Sequence, residues 1–189
     1  MDRDYITVVS GLPRSGTSML MKMLDDGGIP PLTDEIRTAD EDNPKGYYEF
    51  ERVKKLPDDM EWLPDAVGKA VKVLAELVTQ LPSGHDYRIV FIHSNIDEIL
   101  PSQKKMIIRR GEDPDAVPDS ELRMLFATYL QILKSWIEEQ DNVTVLYVHY
   151  NEILEDPAGA IEAMDGFLGG LDTEAMAAAI DDRLYRNRA

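Results

Sequence analysis

Residues 7–24 read TVVSGLPRSGTSMLMKML, and this stretch decides how the rest of the chain is read. A short apolar run, Ile6 to Val9, leads into Gly11-Leu-Pro-Arg-Ser-Gly-Thr-Ser18. A helical pattern follows over Gly16–Asp26, with Met19, Leu20, Met23 and Leu24 on one face and Gly27-Gly28 as its stop. Strand, glycine turn and helix start, in that order, make a cradle for an anion. The first N–H groups of a helix have no partner inside it, and its dipole favours negative charge. The Walker A pattern is G-x-x-x-x-G-K-[ST]. Gly11 and Gly16 keep its interval and Ser18 fills its last place, but Thr17 stands at the lysine place and Arg14 is the only strong cation in the loop. The N–H groups of Ser15 to Ser18 and two hydroxyls suit an anionic group. Arg14 adds a planar, permanently charged fork that matches phosphate or sulfate.

The whole chain narrows the partners. Its 189 residues suffice for one α/β domain, residues 1–189, with no internal repeat. The net charge of −16 argues against a general nucleic-acid or anionic-membrane binder. Binding of a phosphorylated ligand then needs a local cluster of cations, drawn from Arg14, Arg37, Lys45, Lys104, Lys105, Arg109, Arg110, Arg183, Arg186 and Arg188. The absence of cysteine excludes disulfides, thiolate catalysis and cysteine zinc sites. His85, His93 and His149 lack metal-ligand spacing, so no metal site is expected. Apolar runs of only a few residues leave no membrane span. The charged start, Met1-Asp-Arg-Asp, does not read as a signal peptide, and the default location is cytoplasmic. A homodimer is compatible with the sequence.

Outward from the loop, Tyr5–Ser10 reads as a buried parallel strand. Residues 30–64 are polar and rich in turn formers, and they form the expected lid or acceptor-site segment. Asp65–Leu81 reads as a helix on the spacing of Val67, Val71, Leu74, Leu77, Val78 and Leu81. Arg88–His93 and Val143–His149 read as strands. Helices are expected at Asn95–Ile108, despite Pro101, and at Ser120–Gln140, Ala158–Leu168 and Thr173–Ile180. Alternating strands and helices predict a three-layer α/β sandwich around a central, mostly parallel sheet, similar to P-loop nucleoside triphosphatases. Ligands in such sheets sit beyond the carboxyl ends of the strands. The segments Ser10–Ser18, His93–Ser102 and His149–Glu152 are therefore expected to meet in one crevice.

The chemistry of that crevice is not that of an ordinary ATPase. Neither "RIVFIHSN" nor "VLYVHYN" ends in the aspartate that helps to hold magnesium, and the Walker lysine is missing. A sulfuryl group in transfer carries less negative charge than a phosphoryl group, so cations and backbone donors can stabilise it without a metal. Two other readings stay open. One is a P-loop nucleotide kinase or NTPase without its lysine, and the other is a non-catalytic module that binds a nucleotide or anion.

The stretch "GLPRSGTSML" resembles the 5′-phosphosulfate loop of sulfotransferases that use 3′-phosphoadenosine 5′-phosphosulfate (PAPS). The resemblance continues through "DNPKGYYEFE", "NIDEILPSQKKM" and "VLYVHYNEILEDP" to "LYRNR", and it is to the compact bacterial branch of the family. It implies a transferase acting on a hydroxyl or amine acceptor, with adenosine 3′,5′-bisphosphate as product and no required metal. It implies that Arg14 takes the place of the loop's lysine or arginine and stabilises the leaving oxygen. Ser15, Gly16, Thr17 and Ser18 would then hold the 5′ end, and Ser102 the 3′-phosphate. Ser94 stands where the family usually places an arginine for that phosphate. Each charge-assisted hydrogen bond lost there is worth about 1.5–3 kcal/mol. Arg183, Arg186 or Arg188 from the tail, or a protonated His93, are the candidates to replace it.

Transfer also needs a base for the acceptor's proton, and Asp34, Glu35 and Glu49 lie in the segment that would cover the site. Glu35 falls about where a glutamate base stands in the tyrosyl-protein branch. Glu49 follows Tyr47-Tyr48, aromatic neighbours able to desolvate it. Trp62 and the two tyrosines are read equally as acceptor platforms or as anchors of the lid.

Overall fold

The computed structural model describes residues 3–34, 36, 48–109 and 111–180. Four strands form one sheet: β1 (Ile6–Gly11), β2 (Ala70–Lys72), β3 (Tyr87–His93) and β4 (Val143–His149). Their order is β2-β1-β3-β4 and every pair is parallel. In chain order the helices are α1 (Thr17–Asp26), α2 (Leu63–Ala66), α3 (Ala75–Val78), α4 (Ile96–Arg109), α5 (Asp119–Glu138), α6 (Tyr150–Glu155), α7 (Pro157–Leu168) and α8 (Thr173–Ala179). A 3-10 turn occupies Glu51–Lys55.

The sheet divides two apolar cores, as strand alternation requires. Ile6, Val8, Val71, Ile89 and Phe91 pack on one face with Val78 of α3, Ile99 and Leu100 of α4, and Phe126 and Leu133 of α5. Val9, Ala70, Val90, Ile92 and Val148 pack on the other, with Leu20, Met23 and Leu24 of α1, Ile161, Met164 and Leu168 of α7 and Met176 of α8. This is the expected three-layer sandwich. Each fully buried side chain of this size contributes about 1.5–3 kcal/mol. The methionines of α1 are core residues. The end of α7 is captured by side chains: the Arg88 guanidinium donates to the Phe167 carbonyl at 2.6 Å, and the Tyr5 hydroxyl donates to that of Leu168 at 2.7 Å.

The helix expected over Asp65–Leu81 does not exist. It is replaced by α2, β2 and α3, each three or four residues long. Gly68 at φ 78° breaks any helix there. The run Lys69-Ala-Val-Lys-Val73 then alternates rather than spirals, because β1 offers an unpaired edge. Val8 pairs with Val71 and Val9 with Lys72. The periodicity was real but short, and strand pairing outcompeted it. Pro101, in contrast, lies inside α4 without ending it. Its ring is on the exposed side, so the helix loses one hydrogen bond but meets no core clash.

The start of the expected lid is stitched to the sheet edge. Pro31 bridges to Ala70, and the Leu32 N–H donates to the Ala70 carbonyl at 2.7 Å. Asp34 accepts from the Glu51 N–H at 2.6 Å, and the Thr33 hydroxyl donates to the Glu49 carbonyl at 2.9 Å. Trp62 is buried, edge-on to Phe50 at 5.5 Å, and donates to the Asp59 carbonyl at 3.0 Å. It anchors this region.

Candidate active site

The three strand-end segments meet at the glycine loop. The Ser15 N–H closes a turn on the Leu12 carbonyl at 3.1 Å, and Gly16 caps α1 at φ 102°. A side chain at Gly16 would be strained by that φ and would also strike the Tyr150 ring, 2.4 Å from the Cβ position. At Gly11 a Cβ would stand 2.5 Å from Ser15 Oγ and 2.7 Å from the Ile92 carbonyl. The glycines thus bring the backbone N–H groups to a surface closed by α6 behind and β3 beside. Arg14 takes a left-handed backbone at φ 70°, which aims its side chain across the loop. Its Nε donates to Ser102 Oγ of α4 at 3.0 Å. Ser102 is buried, so this bond fixes a guanidinium edge against a residue from another element.

Ser15 and Thr17 are buried, and Ser15 Oγ has no hydrogen-bond partner. Gln103 Oε1, beside Ser102, is likewise buried without one. A buried hydroxyl left unpaired costs about 1–3 kcal/mol. An anion seated on the loop would remove that cost at Ser15. Ser18 stands in the first turn of α1, and its Oγ accepts from Lys72 Nζ at 3.4 Å.

Lys72 was missed by sequence reasoning. It is buried at the carboxyl end of β2, its side chain only 7% exposed. Alternation puts it on the same face of the sheet as Ala70, the α1 face. The expected helix concealed this. Reading "KAVKV" as alternation on an edge strand was the available signal, and it becomes visible only once β1 is known to need a partner.

Glu49 lies next to Lys72. Its Oε1 is 3.9 Å from Lys72 Nζ, and its Oε2 is 3.5 Å from Lys54 Nζ. Of the carboxylates considered as the base, Glu49 is therefore brought to the loop by way of Lys72, Asp34 accepts from the Glu51 N–H, and Glu35 lies outside the described residues. Tyr48 donates to Asp25 at 3.2 Å; burial and the Asp25 carboxylate push its hydroxyl pKa well up. That bond ties the segment to α1.

Ser94 follows β3 directly, between His93 and Asn95, and is half-buried. His93 pairs in register with His149, and their rings stack at 5.4 Å; Tyr147 stacks on His93 at 5.3 Å. Burial first, and His149 second, push the His93 pKa below the ordinary imidazole value. The neutral ring is favoured, so His93 is a poor substitute for the arginine that Ser94 replaces. Lys104 pairs with Asp115 and Asp119, both at 3.0 Å. Arg37, Lys45, Arg110, Arg183, Arg186 and Arg188 lie outside the described residues. Among the described residues there is no cluster of three or more metal-ligating side chains, and no helix long and apolar enough to cross a membrane.

The strand, phosphate-type loop and helix on a parallel sheet define a P-loop-like α/β protein. The family model for the sulfotransferase domain matches residues 4–187. The chain belongs to the sulfotransferase family. Its fold is similar to that of mouse sulfotransferase SULT7A1 complexed with PAP, with a TM-score of 0.58, 16% identity and coverage of 99% of this chain and 68% of that one. It is also similar to a sulfotransferase from Alicyclobacillus acidocaldarius, with a TM-score of 0.52, 15% identity and coverage of 89% and 84%. The sulfotransferase domain of the curacin biosynthetic pathway gives a TM-score of 0.54 at 13% identity, covering 100% of this chain and 93% of that one. No curated protein sequence matches this chain significantly.

Proposed function

We propose that this chain transfers a sulfuryl group from PAPS to a hydroxyl or amine acceptor. The observation that carries the reading is the Arg14–Ser102 hydrogen bond at 3.0 Å, which joins the two segments that would hold the two ends of the donor. The unpaired Ser15 hydroxyl and the glycine cradle fit an anionic group. The donor supplies an activated sulfur–oxygen bond. The acceptor atom bonds to sulfur as that bond breaks, adenosine 3′,5′-bisphosphate keeps the bridging oxygen with its electron pair, and the acceptor's proton passes to a carboxylate.

This chain's residues serve that reaction in separate ways. The N–H groups of Ser15 to Ser18 and the start of α1 hold the 5′ end. Arg14 and Lys72 place two cations beside the oxygens where charge develops. Ser102 holds the 3′-phosphate when Arg14 turns to the donor. Glu49, whose Oε1 lies 3.9 Å from Lys72 Nζ, receives the proton. Ser94 leaves the 3′ end with fewer charge-assisted bonds than the family pattern, and this favours weak donor binding or the second reading, a module that binds the nucleotide without turnover.

Calorimetry with adenosine 3′,5′-bisphosphate tests the proposal. Binding is expected in the micromolar to submillimolar range, and Arg14→Ala is expected to weaken it about tenfold or more, the loss of one or two charge-assisted bonds. A folded protein that ignores millimolar ligand overturns the PAPS reading. Binding without sulfation of any of a panel of phenols, alcohols and amines favours the module.

A further inference from the structure

Lys72 and Glu49 come from different parts of the chain, and their meeting has a consequence beyond holding the fold. The Lys72 ammonium sits between Ser18 Oγ at 3.4 Å, on the anion loop, and Glu49 Oε1 at 3.9 Å. The Glu49 side chain is itself only 17% exposed. The Glu49 carbonyl accepts from the Thr33 hydroxyl at 2.9 Å and from the Asp34 N–H at 3.4 Å, so its anchor is the strip along the β2 edge. An exposed second ammonium, Lys54, which Glu51 also holds at 2.6 Å, lies 3.5 Å from its other oxygen. Glu49 therefore has an alternative partner at hand if it leaves Lys72.

An anion seated on the N–H groups of Ser15 to Ser18 would meet Ser18 and, through it, Lys72. Two anions around one buried ammonium repel each other strongly, because screening is weak there. We propose that Glu49 is an internal counter-ion that occupies Lys72 in the ligand-free protein, and that an anion seated on the loop, such as the 5′-phosphate end of the donor, displaces it toward Lys54. This deepens the sulfotransferase reading and rests on it for the identity of the donor, but the ion exchange concerns any anion on the loop. The displaced carboxylate is then no longer paired with Lys72, and donor binding becomes the event that frees it from that ammonium.

The exchange predicts an unusual sign. Removing a negative side chain from a carboxylate–lysine pair should strengthen ligand binding. Glu49→Gln is expected to tighten adenosine 3′,5′-bisphosphate and inorganic pyrophosphate by about five- to tenfold, a typical coupling between sites. Lys72→Met is expected to weaken both, and Glu49→Gln placed in the Lys72→Met background is expected to change neither. Glu49→Asp, which draws the carboxylate back by one methylene, is expected to tighten both more modestly and serves if the Gln variant does not fold. Unchanged or weaker binding of both probes in the Glu49 variants overturns the exchange, as does an effect that persists without Lys72. Failure of both probes to bind any variant overturns it too. If pyrophosphate alone binds and shows the predicted pattern, the exchange stands and the PAPS reading falls.

Discussion

Gly16 offers the sharpest test of how the loop is built. Replacing it with alanine imposes two separate penalties. The backbone sits at φ 102°, beyond the left-handed well that side chains tolerate. A β-carbon there costs about 1–2 kcal/mol. It would also stand 2.4 Å from Tyr150 Cδ2 and 2.7 Å from Cε2. This is the side of a ring, not the free end of a flexible chain, and overpacking of this kind costs about 1–3 kcal/mol. The expected destabilisation is about 2–5 kcal/mol in urea titration. Total stability is about 5–15 kcal/mol, so the loss is large. The two penalties can be separated. Tyr150→Ala removes the ring but not the φ strain, so Gly16→Ala/Tyr150→Ala should be more stable than additivity predicts by about 1–3 kcal/mol. Strict additivity, or a single variant within about 0.5 kcal/mol of the parent, would refute the steric account of the loop.

Two further outcomes follow from the core and from a buried carboxylate. Burial raises the Glu76 pKa above the ordinary carboxyl value, only partly offset by its own backbone N–H, and its Oε2 has no hydrogen-bond partner. Because the folded value exceeds the unfolded one, its contribution is favourable at acid pH and is lost as pH rises through the folded value. Glu76→Gln is therefore expected to raise the melting temperature more at pH 8 than at pH 4, by about 2–4 °C per kcal/mol gained; an equal shift at both pH values refutes the linkage. Phe126, 4% exposed between α5 and the sheet, is expected to cost about 3–5 kcal/mol on truncation to alanine, read from the urea midpoint at unchanged slope.

Much of the architecture was legible because local pattern and tertiary demand agreed. The glycine loop announces itself, since only glycine at residue 16 accommodates both the φ and the neighbouring ring. The span of β4 was read residue for residue, and α5 within two residues at each end, because a compact β-branched run and a long amphipathic stripe leave little choice. The misreading at Asp65–Leu81 has a definite cause. Six apolar residues at helical spacing looked decisive, but Gly68 and the open edge of β1 turned their middle into a strand. Local propensity could not see that edge. The turn into α6 also escaped, because six residues of helix carry too little periodicity to stand out after a strand.

The sequence by itself determined the strand–loop–helix unit, the parallel α/β class, the family resemblance and the position of Arg14. These are properties of contiguous residues, set by spacing and backbone preference. Tertiary structure alone decided which distant groups share the loop. It paired Arg14 with Ser102, packed Tyr150 against Gly16 and stacked His93 on His149. Above all, it set Lys72 between Ser18 and Glu49. The physical reason is the sheet order. Pairing β2 beside β1 turns a residue that resembled a helix lysine into a buried ammonium on the α1 face, and no spacing along the chain encodes that neighbour.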